Sequence, residues 1–454
     1  MALIYRHGSI IRQEETGMNK QNQLQKLTDA VNALEGSQAR ARLVRLFDEA
    51  TFVELDRLVR DGERPAEAVV GYGTVDGNPV YAFAQDRNVC CGAIGKVQAL
   101  KIKKIYELAA QNGAPVVGVF DSDGAKLGEG VDAMDAIAEI LSASNHISGV
   151  VPQIAVIAGA CVGSSAIVAS NSDIVIAATG ADYYLNPGDE NAEASITAEN
   201  ADAAIDKARE LISLLPSNNL SAPVAYDFDS ALMPSCDSVK DIIDAVADPN
   251  TKILLGSGQN ETALARVGGN ACGLVAMAED KVSAEEASRL ARFVRLCDGF
   301  SIPVITFVDC AGFADLKGAA KLSHAYAEAT TAKITAIAGK AYGSAYIAAA
   351  GKSAGADFVL AWPSSVILPL APQTAIHIFW KDRLSGMKNP TEDREKLAEE
   401  FAETQGDAIT AAANGTVTDV IAPAETKAKL IAMLDMLSGK RVSRLPKKHS
   451  NIIL

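Results

Sequence analysis

The sequence predicts an α/β protein made of two copies of one fold, on three observations. Val116–Phe120 and Ile154–Ala158 are apolar runs of strand length, each ending in a glycine-bearing turn. After the second turn, Ala160–Ser170 reads as a helix of small residues, so strand, turn and helix alternate. The same order then recurs as PVITFVDCAG at 303–312, a helical run, and KITAIAGKAYGSAYIAAA at 333–350. Gly163 and Gly343 hold equivalent places. A period of about 180 residues is too long for a solenoid and suits two whole domains.

Taken in order, residues 1–17 carry no pattern, and Met18 is a candidate start. Residues 19–34 read as a polar helix stopped by Gly36. A helix follows at Ala39–Phe47. Val69–Tyr72 and Val80–Ala84 alternate about Asp76-Gly77, a hairpin signal. Ile102, Ile105, Tyr106 and Ala109 share one helical face, and Gly113 suits the helix end. Lys96, Lys101, Lys103 and Lys104 give that helix a basic side, either a solvated face or a phosphate contact. Ala192–Asn219 is polar with helix signals, and Leu211–Leu215 before Pro216 closes the first domain. Ser217–Asp237 has proline, serine and aspartate but no period, as a linker does. The boundaries are therefore 19–216, 217–237 and 238–454. Ser283-Ala-Glu-Glu286 is a capping-box signature, with Leu290, Phe293, Val294 and Cys297 as the core face behind it. From Val442 the tail is basic, Arg444 through Lys448.

Composition narrows the function classes. Apolar residues make up 48% of the 454, as in a globular chain. The net charge of −14 argues against general nucleic-acid binding, which needs Lys and Arg against phosphates. Seven cysteines occur without a CxxC pair, so no zinc ribbon and no metal site are expected, and most read as buried free thiols. The N-terminus lacks an apolar signal core. Ile147–Ser172 is uncharged and long enough to span a bilayer, but Gly149, Pro152, Gly159, Gly163 and its serines fit a buried strand, turn and helix better. The expected location is the cytoplasm, or the membrane periphery within a complex. Chemically, a glycine turn feeding a helix start presents backbone N–H groups that suit a developing negative oxygen.

Seven stretches spread over most of the chain resemble one family: VELDRLV (53–59), VVGYGTVDGNPVYAFAQD (69–86), NGAPVVGVFDSDGAKLGEGV (112–131), ARFVRLCDGFSIPVITFVD (291–309), GKAYGSAY (339–346), GADFVLAWP (355–363) and PKKHSNIIL (446–454). They are similar to the carboxyltransferase subunits of biotin-dependent acyl-CoA carboxylases and decarboxylases. These are the propionyl-CoA carboxylase β type and the α subunit of methylmalonyl-CoA or glutaconyl-CoA decarboxylase. The resemblance implies two tandem crotonase-like ββα-superhelix domains, the first for acyl-CoA and the second for biotin. It also implies an extended C-terminal arm.

In that family the reaction passes a thioester enolate on one partner and a ureido anion on the other, so two facing oxyanion holes are needed. Matched residue by residue, the family's Cys-Ala-Gly-Gly-Ala run falls on Cys161, Val162, Gly163, Ser164 and Ser165. The N–H groups of Ser164 and Ser165 are then expected to hold the thioester oxygen. Its Lys-Ala-Tyr-Gly-Gly-Ala run falls on Lys340 to Ala345. There Gly343 makes the turn, and the N–H groups of Ser344 and Ala345 take the biotin oxygen. Serine replaces the second glycine in both. Gly124, Ala125 and Lys126 fall on a substrate-binding Gly-Gly-Ala-Arg motif, with Lys126 either a CoA contact or a solvated lysine. Ile347 is expected beside the acyl chain, and Ala311, Gly312 and Phe313 beside biotin.

The chain departs from the family at three places. The loop Phe313–Gly318 is short and lacks the family's proline and its Gly-Gly-Ile-Ile-Arg-His run. A Glu-Glu-Leu-Gly-Gly-Ala stretch is missing after Pro187, and Met277–Val282 is shortened. No Met-Lys-Met biotinylation site is present, so biotin must come on a separate carrier subunit. The implied partners are that biotin carboxyl carrier protein, a biotin carboxylase or a membrane decarboxylase subunit, and further copies in a homo-hexamer. Three other readings stay open: a Clp-type protease with Ser164 or Ser165 as nucleophile, a hydratase using Glu129, and a non-catalytic assembly subunit.

Overall fold

The computed structural model describes residues 20–454 apart from 224, 229, 237, 257, 386–391, 444, 452 and 454. The expectations for residues 1–18 and for Arg444 lie outside them. The chain divides into two units. The first holds the described residues up to Ser148, Gln153–Glu193 and Thr197–Ala208; the second holds Gly149–Pro152, Ala194–Ile196 and the chain from Arg209 on.

The first unit carries strands β1 (Val53–Leu55), β2 (Ala68–Val75), β3 (Asn78–Gln85), β4 (Val116–Ser122), β5 (Gln153–Val162), β6 (Ile174–Ala178), β7 (Asp182–Tyr184) and β8 (Ile196–Ala198). They form one eight-stranded sheet in the order β1-β2-β3-β4-β5-β6-β8, with β7 paired to the far end of β5. The β1/β2 and β2/β3 pairs are antiparallel, and β3 through β6 run parallel. At the hairpin, Asp76 and Gly77 both have positive φ (49° and 79°), the geometry that Asp-Gly favours. Both of their amides donate to the Asp48 carboxylate at 3.0 Å.

Helices follow the predicted spacing. Helix α1 (Gln38–Leu46) starts one residue early because Ser37 caps it, accepting the Arg40 amide. Helix α2 (Lys96–Asn112) buries Ile102, Ile105, Tyr106 and Ala109 against β2 to β4 and ends at Gly113 in the left-handed region. Its basic side is largely occupied: Lys101 is buried on the Ala68 carbonyl, Lys103 pairs with Glu139 and Lys104 with Asp56. Helix α3 (Val131–His146) packs on α2, α4 (Ser164–Ser170) follows β5, and α5 (Ala201–Leu214) closes the first half.

The second unit repeats this plan. Strands β9 (Ile253–Leu254), β10 (Glu261–Val267), β11 (Asn270–Met277), β12 (Val304–Cys310), β13 (Lys333–Tyr342), β14 (Phe358–Ala361), β15 (Val366–Leu368) and β16 (Asp419–Val420) take the same order, β9-β10-β11-β12-β13-β14-β16, with β15 on β13. The hairpin is repeated at Gly268-Gly269, whose amides donate to Asp248. Helices α6 (Val239–Val246), α7 (Ala284–Gly299) and α8 (Leu316–Glu328) accompany the sheet, and Ile305, Phe307, Trp362 and Leu430 lie in its core. Only half of the expected capping box forms. Ser283 accepts the Glu286 amide, but the Glu286 carboxylate is drawn to Arg289 at 2.6 Å.

The stretch after Pro216 is not free. Ala225 bridges Asn270, and the Tyr226 ring lies 3.9 Å under the Arg266 guanidinium. The tail is also anchored: Lys440 binds the Thr331 carbonyl and Asp357, and Lys447 and Ser450 reach Glu328. No helix of the described residues is long and apolar enough to cross a membrane.

Candidate functional site

In the first unit the turn at Gly163 is built on a buried carboxylate. Asp121, at the end of β4, is 3% exposed, and burial of its charge is compensated by Arg42 at 2.7 Å. It also accepts the Ala160 amide at 3.2 Å. A Cβ at Gly159 would lie 2.4 Å from the same carboxylate, so the strand approaches only with glycine there. The helix expected from Ala160 starts later. Ala160, Cys161 and Val162 stay in β5 because they pair with Asp182, Tyr183 and Tyr184 of β7. Gly163 then turns the chain at φ 60° and ψ −127°, a conformation side chains disfavour, and donates its amide to the Tyr184 carbonyl at 3.0 Å. Ser164 and Ser165 are the first two residues of α4, so their N–H groups lie outside the helical hydrogen-bond ladder.

Their side chains are disposed differently. Ser165 is fully buried, its hydroxyl donating to Gln85 at 3.4 Å and accepting from the Cys161 thiol at 3.7 Å. Burial pushes that thiol up to about 12. The Ser164 hydroxyl is buried without a hydrogen-bond partner among the described residues. Among the described residues, neither serine has a histidine beside it in a hydrogen bond, and Glu129 is engaged by Lys126 and the Lys96 amide. The arrangement offers backbone donors and neither a serine nucleophile with a base nor a free acid–base glutamate pair.

The second unit repeats the turn. Asp309 accepts the Lys340 amide at 2.9 Å, and a Cβ at Gly339 would lie 2.4 Å from its carboxylate. Gly343, at φ 42°, donates to the Leu368 carbonyl at 2.9 Å, as Gly163 does to Tyr184. Ser344 is exposed and Ala345 is fully buried. The helix that follows widens into a π turn over Tyr346–Ala350, closed by the Gly351 amide on the Tyr346 carbonyl at 2.6 Å. Lys340 pairs with Asp280 at 2.6 Å, which holds the lysine above its usual pKa and the aspartate below.

Each turn has a loop laid against it. A Cβ on Gly124 would be 3.0 Å from the Val162 carbonyl and 3.7 Å from the Ser164 hydroxyl; one on Gly312 would be 3.0 Å from the Ser344 hydroxyl. Ala125 bridges Ile94, and Phe313 bridges Val282 in the same manner. Ala311 donates to the Asp280 carbonyl at 2.9 Å. Ile347 is 65% exposed, one helical turn past Gly343. Lys126 is half-buried and paired: its ammonium meets Asp61, Glu67 and Glu129. Among the described residues, no group of histidine, cysteine, aspartate or glutamate is placed to hold a metal.

The carboxyl transferase domain family matches residues 35–186 and 189–452. The chain belongs to that family. This carboxyl transferase is 34% identical to the methylmalonyl-CoA decarboxylase α subunit of Propionigenium modestum, over 92% of this chain and 93% of that one. It is 35% identical to the propionyl-CoA carboxylase β chain of Saccharopolyspora erythraea, over 92% and 90%. Among solved structures it matches the transcarboxylase 12S hexamer, which was solved with methylmalonyl-CoA and methylmalonic acid bound. The TM-score is 0.85 at 29% identity, over 97% and 99% of the two chains. The two-domain crotonase-like fold is thereby shown.

Sequence reasoning missed the carboxylates beneath the turns. Asp121 and Asp309 stand in equivalent places of VFDSDG and FVDCAG, so the repeat does signal them. Arg42, Gln85 and Gln98, which complete the first support, carry no such signal: they come from α1, β3 and α2.

Proposed function

We propose that this chain is the carboxyltransferase that moves a carboxyl group between a biotin carrier and a short-chain acyl-CoA of the propionyl or methylmalonyl type. The observation that carries the reading is the repeated glycine turn with first-turn amides, one in each unit, in a chain of this family. At the first turn, the Ser164 and Ser165 amides hold the thioester oxygen as the α-carbon gains or loses its carboxyl group and charge moves onto that oxygen. Gly163 shapes the turn, and Gly124 and Ala125 wall it. At the second, Gly343 shapes the turn and the amides of Ser344 and Ala345 face the biotin carbonyl, with Ala311, Gly312 and Phe313 alongside. These residues fit the group, because two backbone donors at a helix start are what a ureido oxygen requires. Biotin, when bound, carries the carboxyl group. Ile347 offers an apolar contact to the acyl chain, so malonyl, methylmalonyl or propionyl groups are favoured over glutaconyl.

The carrier arrives on another subunit, and the direction of transfer follows from whether a biotin carboxylase or a membrane decarboxylase subunit accompanies this one. The test is exchange of the α-proton of propionyl-CoA in heavy water, read by mass spectrometry, beside CoA affinity by calorimetry. Exchange with binding is the expected result. Failure of the chain to bind CoA would overturn the reading in favour of a non-catalytic assembly subunit.

A further inference from the structure

We infer that Lys126 is a positioning residue, whose ammonium latches the Gly124 loop against the first glycine turn through Glu67, Glu129 and Asp61, and that it does not bind substrate. The inference rests on the carboxyltransferase reading only for the purpose of the turn; the latch itself is read from the geometry.

Glu67 is 1% exposed, and burial raises its pKa. One of its oxygens lies 2.7 Å from the Lys126 ammonium, and the other is buried without a hydrogen-bond partner among the described residues. Glu129 approaches the same ammonium at 3.3 Å and accepts the Lys96 amide at 2.7 Å, which ties the loop to the start of α2. Asp61 closes the group from the short ribbon Arg60–Asp61/Arg64–Pro65. Room for the group is made by Gly95, where a Cβ would meet Glu129 at 2.3 Å and the Lys126 stem at 2.8 Å. Three carboxylates on one ammonium leave no positive charge to offer an anionic ligand.

The latch reaches the turn through the backbone. The Lys126 amide donates to the Ile94 carbonyl at 2.9 Å, and the Ile94 amide to the Gly124 carbonyl at 2.7 Å. Gly124 in turn abuts Val162 and Ser164. The second unit has the same backbone ladder, Ala314 to Val282 and Val282 to Gly312, at 2.9 and 3.0 Å. Alanine stands there in the place of Lys126. Its loop is held by a different device: Asp315 caps α8 by accepting the Gly318 amide at 2.8 Å. One loop is anchored by buried charge and the other by a helix cap.

The experiment compares Lys126→Met, Lys126→Arg and the double variant Lys126→Met/Glu67→Gln in the full chain. Hydrogen exchange is measured over residues 122–130 and 162–168, with CoA affinity by calorimetry. Removing one partner of a buried pair leaves an uncompensated charge, so Lys126→Met should speed exchange in both segments by about tenfold or more. CoA affinity should move by less than about threefold. Lys126→Arg should keep the slow exchange, and Glu67→Gln should restore it in the methionine background by removing the stranded charge. An unchanged exchange rate with CoA affinity down by about tenfold would make Lys126 a ligand and overturn the latch. Should Lys126→Met fail to fold, the double variant decides: rescue supports the latch and no rescue overturns it. Absence of CoA binding by the unaltered chain would sink the carboxyltransferase reading, while exchange would still decide the latch.

Discussion

At the residue scale, the first turn separates what a backbone amide does from what a side chain does. Ser164→Ala removes a hydroxyl that has no hydrogen-bond partner among the described residues and keeps the donor, so α-proton exchange should stay within a few-fold of the unaltered rate. Ser164→Pro removes the N–H itself. Ser164 is the first residue of α4, where proline is tolerated, and the variant is first checked for normal assembly. Loss of one oxyanion donor should lower exchange by about 10²–10³-fold. Ala345→Pro is the counterpart: its φ of −64° suits proline, and the variant should spare α-proton exchange while damaging transfer to the biotin carrier. Abolition of activity by Ser164→Ala in a normally assembled protein would reopen a nucleophile role for the serine. Ile347→Asp probes specificity. A charge on this exposed position should lower rates with propionyl- and methylmalonyl-CoA most, and an unchanged rank order across an acyl-CoA panel would count against its placement beside the acyl chain.

At the scale of elements, both turns use one device: a strand that runs on past its neighbours, a glycine, and a helix start. The strand extension is what delayed α4 relative to the sequence expectation. Ala160 and Cys161 suit helix and strand alike, and only the pairing of 160–162 with β7 decides between them. The two units differ in how the adjacent loop is held. Asp315→Ala should therefore cost about 0.5–2 kcal/mol of stability through the lost helix cap. Because that loop lies beside Ser344, the same variant should slow carboxyl transfer to biotin and leave α-proton exchange intact. Equal loss of both activities would show that the cap serves the fold as a whole and not the second turn. The widened π turn at Tyr346–Ala350 has no counterpart after Gly163, where α4 is regular. It also lies where GKAYGSAY passes into an alanine run, which by composition alone reads as ordinary helix.

For the whole molecule, we propose a homo-hexamer, prompted by the hexamer of the similar 12S structure. The expectation is a single hexameric species in sedimentation velocity at micromolar concentration. A stable monomer there, retaining full activity, would rule the hexamer out. The fold was legible because it is written twice. Strand-length apolar runs and turn glycines recur in one order, and local periodicity is a property of contiguous residues. The turns of the candidate site were legible for the same reason, since Gly163 and Gly343 must take a conformation that other residues resist.

What the sequence by itself determined was therefore the local and the repeated: two α/β units, their order, their turns, and the amides those turns present. Only tertiary structure decided what those turns rest on. Arg42 reaches Asp121 from 79 positions away, and Glu67 reaches Lys126 from 59. In sequence, Lys126 is a lone cation in a glycine-rich loop and Glu67 an acid before a strand. Folding buries one against the other, and a charge removed from water must be paired, so the role of Lys126 is set by partners that no local pattern reveals.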